Sequence, residues 1–372
     1  MINLICGDCI EELRKLPEES VNCVITSPPY FGLRDYGVAG QIGLENTIDE
    51  YLEKLVKIFQ EIRRVLRKDG TVWLNLGDSY AANRTYQVTD QKWKDVGNTK
   101  SSKVPTGLKP KDLIGIPWRV AFALQADGWW LRQDIIWHKT NPMPESVRDR
   151  CTKAHEYIFL LTKSAKYYYD SEAIKEDAKN WGTRNRQNFR GGTKDPKLKQ
   201  HGLKGKENEK NPKRNKRTVW TVSTKPYKGA HFATFPPDLI IPCILAGCPK
   251  EVCDECGSPY TRTTKTERKN GREKLNCGNM TKDGVTRTTA GLSVPAEYKR
   301  KTVTTTGWNP TCTCNARTKP GTTLDPFCGS STTGEVAITY NRDYIGIELN
   351  PDYIELSKKR LANAQPVLFE KN

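Results

Sequence analysis

The segment from Thr322 to Asn350 constrains the fold of this chain more than any other. An apolar strand ends at Asp325, a turn of small residues runs from Gly329 to Thr333, and a second strand ends at Glu348. Small residues let a backbone approach a ligand closely, and an acid after the next strand accepts hydrogen bonds from ribose hydroxyls. The spacing from the turn to Glu348 is close to the roughly 20 residues of a nucleoside-binding βαβ unit. The segment therefore predicts a doubly wound α/β sheet with a nucleoside-containing ligand.

A second constrained turn lies near the amino terminus. The apolar run Val21–Ile25 predicts a short buried strand, and Thr26-Ser27-Pro28-Pro29-Tyr30 follows it directly. Two consecutive prolines stiffen this turn and fix where Ser27 and Tyr30 point. Open α/β sheets bind ligands at the carboxyl ends of their strands. A rigid turn without chemistry is the alternative, but the presence of the second motif favours a catalytic loop.

The two motifs, Thr26-Ser27-Pro28-Pro29-Tyr30 and Asp325-Pro326-Phe327-Cys328-Gly329-Ser330-Ser331-Thr332-Thr333, resemble those of DNA amino-methyltransferases acting on cytosine N4 or adenine N6. Their order resembles the circularly permuted, beta-class-like arrangement. The resemblance implies a Rossmann-like methyltransferase sheet, S-adenosylmethionine as cofactor and double-stranded DNA as substrate. One residue departs from the family pattern, since Ser331 stands where a second glycine is usual. Serine is small, so we expect the cofactor still to bind.

The resemblance also implies roles for individual residues. The catalytic residues are Ser27, Pro28, Pro29 and Tyr30. The cofactor-binding residues are Asp8, Phe235, Asp325, Phe327, Gly329, Ser331, Thr332 and Glu348. Asp8 is also a favoured type of helix N-cap for residues 10–16, and the two roles are compatible. Trp137 is a candidate for stacking on the target base, with a place in the apolar core as the alternative.

The implied chemistry acts on a weak nucleophile, because the lone pair of an exocyclic amino nitrogen is delocalised into its ring. Hydrogen bonds from the amino group to the Ser27 hydroxyl and the Pro28 carbonyl would localise that lone pair, so that transfer needs only in-line approach. The base must leave the duplex, and Tyr30 would replace its lost stacking. Serine at position 27 favours cytosine N4, because the adenine enzymes of the family more often carry aspartate; adenine N6 is the alternative.

Methylation at cytosine C5 would use a Pro-Cys nucleophile, and the chain contains Pro242-Cys243. This dipeptide lies in the apolar run Leu239–Leu245, which lacks polar groups that could stabilise a thiolate. We therefore expect Cys243 to be a buried structural residue.

Charge points to an anionic polymer as partner. The formal net charge is +17, and residues 181–220 alone contain thirteen Lys or Arg against three Asp or Glu. Such a run cannot bury a core of its own, so a solvated loop is the alternative interpretation. We place a DNA target-recognition region at 166–228, with the candidate contacts Arg184, Arg186, Asn188, Arg190, Lys213 and Arg214.

The chain has twelve cysteines but neither a secretory signal pattern nor a transmembrane run, so we expect a cytoplasmic protein. In a reducing compartment, clustered cysteines favour metal over disulfides. Two close pairs, Cys253 with Cys256 and Cys312 with Cys314, predict a structural Zn²⁺ site. Free or redox-active thiols are the alternative. A zinc-containing nucleic-acid-binding protein with an inactive methyltransferase fold would share these features, but it would not need two intact motifs.

Apolar spacing predicts the remaining elements. Helices are expected at Ile48–Leu66, stopped by Lys68-Asp69-Gly70, and at Asp112–Gln125, and strands at Thr71–Leu76, Trp129–His138 and Glu156–Leu161. The alternation predicts a parallel-type sheet with helices on both faces. The expected domains are a catalytic half (1–165), the target-recognition region (166–228), a cofactor-closing segment (229–248), a zinc-binding insertion (249–316) and a cofactor-binding half (317–372). A cognate restriction endonuclease is a further expected partner.

Overall fold

The computed structural model describes residues 1–33, 35–81, 108–109, 111–177, 213–225, 234–270 and 299–366. The chain divides into two compact units: residues 1–174, 216–261 and 310–372 form the larger, and 175–215 with 262–309 the smaller. Some predicted features lie outside the described residues, namely Arg184, Arg186, Asn188, Arg190 and positions 229–233 of the cofactor-closing segment.

Six helices and fourteen strands are described in this part of the chain. In chain order they are β1 (Ile2–Cys6), α1 (Cys9–Lys15), β2 (Val21–Thr26), α2 (Ile48–Val65), β3 (Leu66–Leu76), α3 (Ile116–Ala126), β4 (Trp130–His138), β5 (His155–Thr162), β6 (Glu176–Asp177), β7 (Lys213–Arg214), β8 (Val219–Thr221), α4 (Pro237–Gly247), β9 (Val252–Cys253), β10 (Tyr260–Asn270), β11 (Lys299–Pro310), β12 (Thr318–Lys319), β13 (Thr322–Asp325), α5 (Thr332–Thr339), β14 (Asp343–Glu348) and α6 (Pro351–Ala362). None of the helices in these ranges has the length and apolar character needed to cross a bilayer.

The larger unit contains an eight-stranded sheet with the order β1-β14-β13-β2-β3-β5-β4-β8. The first five strands are parallel, and β4 is parallel to β8, but β5 is antiparallel to both of its neighbours. The prediction of a parallel-type sheet is therefore wrong at β5. No helix interrupts residues 139–154 between β4 and β5, so the chain reverses direction there instead of crossing over. As a result, β5 starts at the edge where β2 and β3 end.

Helices cover both faces of this sheet, as predicted. Alternate residues of β2 and β3 point to opposite sides, with Val24 and Val72 in one apolar cluster and Ile25 and Trp73 in the other. The first cluster is closed by α1, α2 and α3, and the second by α4, α5 and α6. These two layers hold the strand ends, and the loops that follow them, in fixed positions.

Helix α2 confirms the apolar spacing and differs only at its end. Its buried stripe runs from Ile48 to Val65, and the Thr47 hydroxyl caps its start by accepting a hydrogen bond from the Glu50 amide at 3.2 Å. The predicted stop, Lys68-Asp69-Gly70, lies within β3. There the pairing with β2 jumps from Leu66 to Thr71, so these residues bulge between two paired segments.

Two proline-containing helices differ from the sequence pattern. The helix predicted from Asp112 begins at Ile116, after Gly115 in a left-handed conformation, and Pro117 occupies its first turn. The apolar run around Cys243 is the helix α4, which contains Pro242 in its interior. Burial against the sheet outweighs the local cost of that proline, because Leu239 and Ile244 are fully buried.

The smaller unit contains the two-residue pair β6–β7 and most of the pair β10–β11. Two predicted DNA-binding residues lie on β7. Arg214 donates to Glu176 at 2.9 Å, and Lys213 lies 3.8 Å from the Asp177 carboxylate. Both cations therefore lie beside carboxylates of the strand paired with β7, and a role for either in contacting DNA stays a prediction.

Candidate active site at the carboxyl edge of the sheet

The two constrained turns lie side by side. Strand β13 pairs in parallel with β2, so both end at the same edge. There the Thr26 hydroxyl donates to Asp325 Oδ1 at 2.8 Å, and the Thr333 hydroxyl donates to Asp325 Oδ2 at 2.8 Å. A buried carboxylate thus joins the Ser-Pro-Pro-Tyr turn to the small-residue turn, although the two are 299 residues apart along the chain.

Asp325 is 1% exposed, and its oxygens also accept a hydrogen bond from the Phe327 amide at 3.2 Å. Burial raises the pKa of this carboxyl group to about 6, although the hydroxyls of Thr26 and Thr333 favour the charged form. The structure therefore shows Asp325 as the link that positions both turns. Its predicted direct contact with a cofactor stays a prediction.

This burial predicts a pH-dependent contribution to stability. Because the pKa of Asp325 is raised in the folded chain, the folded state binds the proton more tightly, and stability is gained as the pH falls from about 7 to 4. Relative to Asp325→Asn, the free energy of unfolding of the wild type should rise by roughly 2–3 kcal/mol over that range. Urea unfolding of both proteins at several pH values measures the difference, and a difference independent of pH would contradict it.

Glu348 and Asp8 flank the small-residue turn. Strands β1 and β14 pair so that Cys6 lies opposite Glu348, which brings Asp8 to the same edge. Glu348 accepts hydrogen bonds at 2.9 Å from the amides of Gly329 and Asn350, and burial raises its pKa. Asp8 caps α1 by accepting from Ile10 and Glu11, which confirms its predicted capping role. Each carboxylate oxygen of Glu348 retains capacity for a further donor.

The backbone of the small-residue turn is open and unusual. Gly329 has φ +51°, and a Cβ built there would meet no atom within 4 Å. Ser331, where the family usually has glycine, has φ 55° and ψ 46° and is fully buried. This left-handed conformation costs a non-glycine residue about 1–2 kcal/mol. This conformation explains why glycine is usual at position 331. Ser331 adopts it, and the backbone surface at Gly329 stays open.

The Ser-Pro-Pro-Tyr turn is held by a polar network. The Ser27 and Tyr30 hydroxyls lie 3.4 Å apart, and the Tyr30 hydroxyl lies 2.9 Å from Glu156 Oε2 and 3.3 Å from Asn75 Oδ1. Glu156 also forms an ion pair with Lys139. Burial, and then the Glu156 charge, raise the pKa of Tyr30 well above its usual value, so its hydroxyl stays protonated. Pro29 is held as well, because its carbonyl accepts a hydrogen bond from Tyr51 at 2.9 Å.

Gly77, directly after β3, makes room for the Tyr30 ring. A Cβ at this position would lie 2.6 Å from Tyr30 Cε2, which is closer than van der Waals contact allows. For the methyl transfer that the resemblance of the two motifs implies, we expect Gly77→Ala to displace the Tyr30 ring and to lower the single-turnover rate at least about tenfold. Rapid-quench assays on DNA measure this rate. Gly307→Ala is the matched control, since its Cβ would meet no atom nearer than 3.5 Å; equal rates for both variants would contradict the prediction.

Four other residues that the sequence analysis singled out occupy apolar surroundings. Trp137 is 3% exposed, and its indole donates to the Val222 carbonyl at 2.8 Å, which favours its interpretation as a core residue. Phe327 and Phe235 are half-buried and pack against the first and second clusters, respectively. Cys243 is fully buried, burial raises its pKa, and its thiol contacts the Leu239 carbonyl at 3.6 Å. These contacts agree with a structural Cys243.

The four predicted metal ligands come together in the larger unit. The Sγ atoms of Cys253, Cys256, Cys312 and Cys314 all lie within 4.8 Å of one another. Tetrahedral zinc with four thiolates separates its sulfur atoms by about 3.8 Å, so a small contraction suffices. The first pair sits on a tight turn, where the Cys253 amide donates to the Ser258 carbonyl at 2.8 Å and Gly257 has φ +69°. Cys248, by contrast, is buried beside Arg342.

Comparison with known proteins identifies the family. Residues 21–254 and 315–359 match the model of the family N6_N4_Mtase, described as DNA methylase. The chain belongs to this DNA methylase family. Its relatives include the Type II methyltransferase M.Cfr9I of Citrobacter freundii, which is 42% identical over 95% of this chain and 86% of its own length. They also include the Type II methyltransferase M.SmaI of Serratia marcescens, which is 41% identical over 96% of this chain and 90% of its own length.

A solved structure shares the fold of this methylase. The PvuII DNA methyltransferase (cytosine-N4-specific) aligns with a TM-score of 0.53 and 16% identity, over 100% of this chain and 89% of that chain. The family match and the relatives confirm the resemblance to the amino-methyltransferases, and the PvuII structure agrees with the mixed α/β fold.

Several residues of the methylase site were missed by sequence reasoning. Thr26 and Thr333 join the turns through Asp325, and Asp78 Oδ1 accepts hydrogen bonds from the amides of Gly115 and Ile116 at the start of α3. Asp78 could have been found, because it follows a strand as Asp8 does. Glu156 does not follow a strand, so the sequence carried no sign of its role. It lies at the edge where β2 and β3 end only because β5 runs antiparallel to them.

Proposed function

We propose that this protein is a Type II DNA methyltransferase that moves a methyl group from S-adenosylmethionine to N4 of cytosine in double-stranded DNA. The observation that carries the proposal is the pairing of β2 with β13, reinforced by the Thr26–Asp325 hydrogen bond, which puts the Ser-Pro-Pro-Tyr turn beside the small-residue turn. The names of the full-length relatives support the class. A partner endonuclease is part of this proposal. So is the circular permutation, which the order of the two motifs supports.

The residues at the small-residue turn fit a nucleoside cofactor. Gly329 exposes backbone to open space, and Glu348 presents a carboxylate already oriented by two amides. The Glu348 oxygens would accept bonds from ribose hydroxyls, and Asp8 would face the adenine side. Phe327, Phe235, Ser331 and Thr332 line or shape this surface in the proposal. When bound, S-adenosylmethionine supplies an electrophilic methyl group on its sulfonium.

The Ser-Pro-Pro-Tyr turn would hold the target base. The Ser27 hydroxyl and the Pro28 carbonyl accept hydrogen bonds from the exocyclic amino group, which localises its lone pair. The amino nitrogen would take the methyl group that bound S-adenosylmethionine supplies, S-adenosylhomocysteine would be the leaving group, and the proton released from the amino group would pass to water. The flipped base would stack on Tyr30, whose ring is fixed by Gly77 and Glu156. Proximity and orientation supply much of the rate.

The cysteine cluster would hold a structural Zn²⁺ ion. Four thiolates complete a tetrahedral site and leave no open position for catalysis. Strand β9 carries Cys253 and pairs with β12, which immediately precedes β13. The metal would therefore brace the amino end of the cofactor strand, at the edge opposite the proposed active site.

Modified-base sequencing of a plasmid exposed to the protein and S-adenosylmethionine tests the proposal. We expect N4-methylcytosine at one recurring sequence, and, after the same short exposure, about 10²- to 10³-fold less modification with Ser27→Ala. Calorimetry with S-adenosylmethionine, performed on the same samples, separates failure to bind cofactor from failure to transfer. Modified adenine at N6 would select the alternative base, whereas unmodified DNA together with a bound cofactor would point to an inactive nucleic-acid-binding protein.

A further inference from the structure

We propose that Glu156 is a positioning residue that sets the direction of a hydrogen-bond chain ending at Ser27. The inference rests on the proposed function, because it explains how the Ser27 hydroxyl becomes an acceptor for the amino group of the base. Glu156 belongs to neither sequence motif. It is the second residue of the antiparallel strand β5, and the reversal of the polypeptide between β4 and β5 brings it to the edge where β2 ends.

The carboxylate of Glu156 is surrounded by donors. Its side chain is 16% exposed and forms an ion pair with Lys139 through Oε1. Asn75 Nδ2 lies 3.3 Å from Oε2 and also donates to the Tyr157 carbonyl at 3.1 Å. The Tyr30 hydroxyl reaches the same Oε2 at 2.9 Å. Ionised carboxylates only accept hydrogen bonds, so every one of these neighbours must donate.

Because Glu156 only accepts, every hydrogen bond from Ser27 through Tyr30 to Glu156 must donate towards Glu156. Tyr30 has a single hydroxyl proton, and it donates this proton to the charged Glu156 carboxylate at 2.9 Å in preference to the neutral Asn75 amide oxygen at 3.3 Å. Its oxygen can therefore only accept from Ser27, 3.4 Å away. Ser27 in turn directs its one proton towards Tyr30 and presents its lone pairs outwards. An amino group of a base has protons to donate, so it meets an acceptor at Ser27 instead of a competing donor.

Glu156→Gln keeps the shape of the side chain and reverses this direction. Lys139 continues to require an acceptor, so it retains the amide oxygen and turns the amide nitrogen towards Tyr30. The Tyr30 oxygen then accepts from this amide, and its own proton turns to Asn75 Oδ1 or to Ser27, so Tyr30 is no longer held as the acceptor of the Ser27 proton. A merely structural role for Glu156 would change stability or cofactor binding. The hydrogen-bond chain from Glu156 through Tyr30 to Ser27 predicts instead a slower transfer step. This loss of rate should depend on the presence of the Tyr30 hydroxyl.

The test is a double-mutant cycle on duplex DNA that contains the sequence found by plasmid sequencing. We expect Glu156→Gln to lower the single-turnover transfer rate about 10- to 100-fold, with S-adenosylmethionine affinity within about threefold of wild type. In a Tyr30→Phe background, the same substitution should change the rate less than about threefold, because the hydroxyl it acts through is absent. Glu61→Gln, a carboxylate on α2 paired with Arg64, is the control.

Two results would overturn the proposal: a Glu156→Gln rate equal to that of wild type, or an equal loss in both backgrounds. If Glu156→Gln does not fold, Glu156→Asp replaces it in the cycle. This variant keeps the negative charge near Lys139 but is too short to reach Tyr30, and the same losses are expected. Wild-type activity is measured first, so a failure of the proposed function is seen separately from a failure of this inference.

Discussion

Ser27→Ala is expected to lower the single-turnover rate of methyl transfer by about 10²- to 10³-fold, similar to the loss of one group that stabilises a transition state by hydrogen bonding. The substitution removes the acceptor that localises the lone pair of the amino nitrogen. It leaves the residues around Gly329 and Glu348 unchanged. Affinity for S-adenosylmethionine should therefore remain within about threefold of the wild-type value.

Ser20→Ala is the matched control for this experiment. Ser20 immediately precedes β2, at the opposite end of the same strand, and its hydroxyl donates to the Pro17 carbonyl at 2.7 Å. Its rate should equal that of the wild type. If Ser27→Ala transferred methyl groups at the wild-type rate, the Ser-Pro-Pro-Tyr turn would have to be abandoned as the catalytic loop.

Removal of zinc has the largest expected effect on stability. The free energy of zinc binding to structural thiolate sites is on the order of 10 kcal/mol, and it is available only to the folded chain. Stripping the metal with a chelator should lower the melting temperature by more than about 10 °C. The protein as purified should contain one zinc ion per chain by elemental analysis, and Cys253→Ser or Cys312→Ser should abolish it.

The control for the zinc site is Cys151→Ser. Cys151 is exposed and lies outside the four-cysteine cluster, so its replacement should change neither the metal content nor the melting temperature. A metal-free protein with an unchanged melting temperature would leave the cluster as four free thiols, the alternative that the cysteine spacing also allowed.

Local patterns predicted much of the fold correctly. The helix from Ile48 and the strands that end at Thr26, Asp325 and Glu348 each have a period or an end signal contained within a few residues. The direction of β5 could not be predicted in this way. Its apolar residues suit a parallel or an antiparallel strand equally well. Its direction depends on how residues 139–154 turn after β4 and on its pairing with both β3 and β4.

The candidate site shows the same division. Asp8, Ser27, Asp325 and Glu348 were predicted from the motifs and the family resemblance, and each follows or ends a strand whose end lies at one edge of the sheet. Glu156, Gly77 and Thr333 were not, because their roles depend on neighbours from distant parts of the chain. Ser331 was recognised as a departure from the family pattern, but only its left-handed backbone explains why that position is restricted.

The account as a whole depends on methyl transfer to an exocyclic amino nitrogen at the joined turns. The most direct measurement is mass spectrometry of nucleosides from DNA treated with the protein and S-adenosylmethionine carrying a deuterated methyl group. We expect labelled N4-methylcytosine from the wild type, and about 10²- to 10³-fold less of it from Ser27→Ala over the same reaction time. Label at C5 of cytosine would contradict it, because that product requires a cysteine nucleophile and Cys243 is buried in α4.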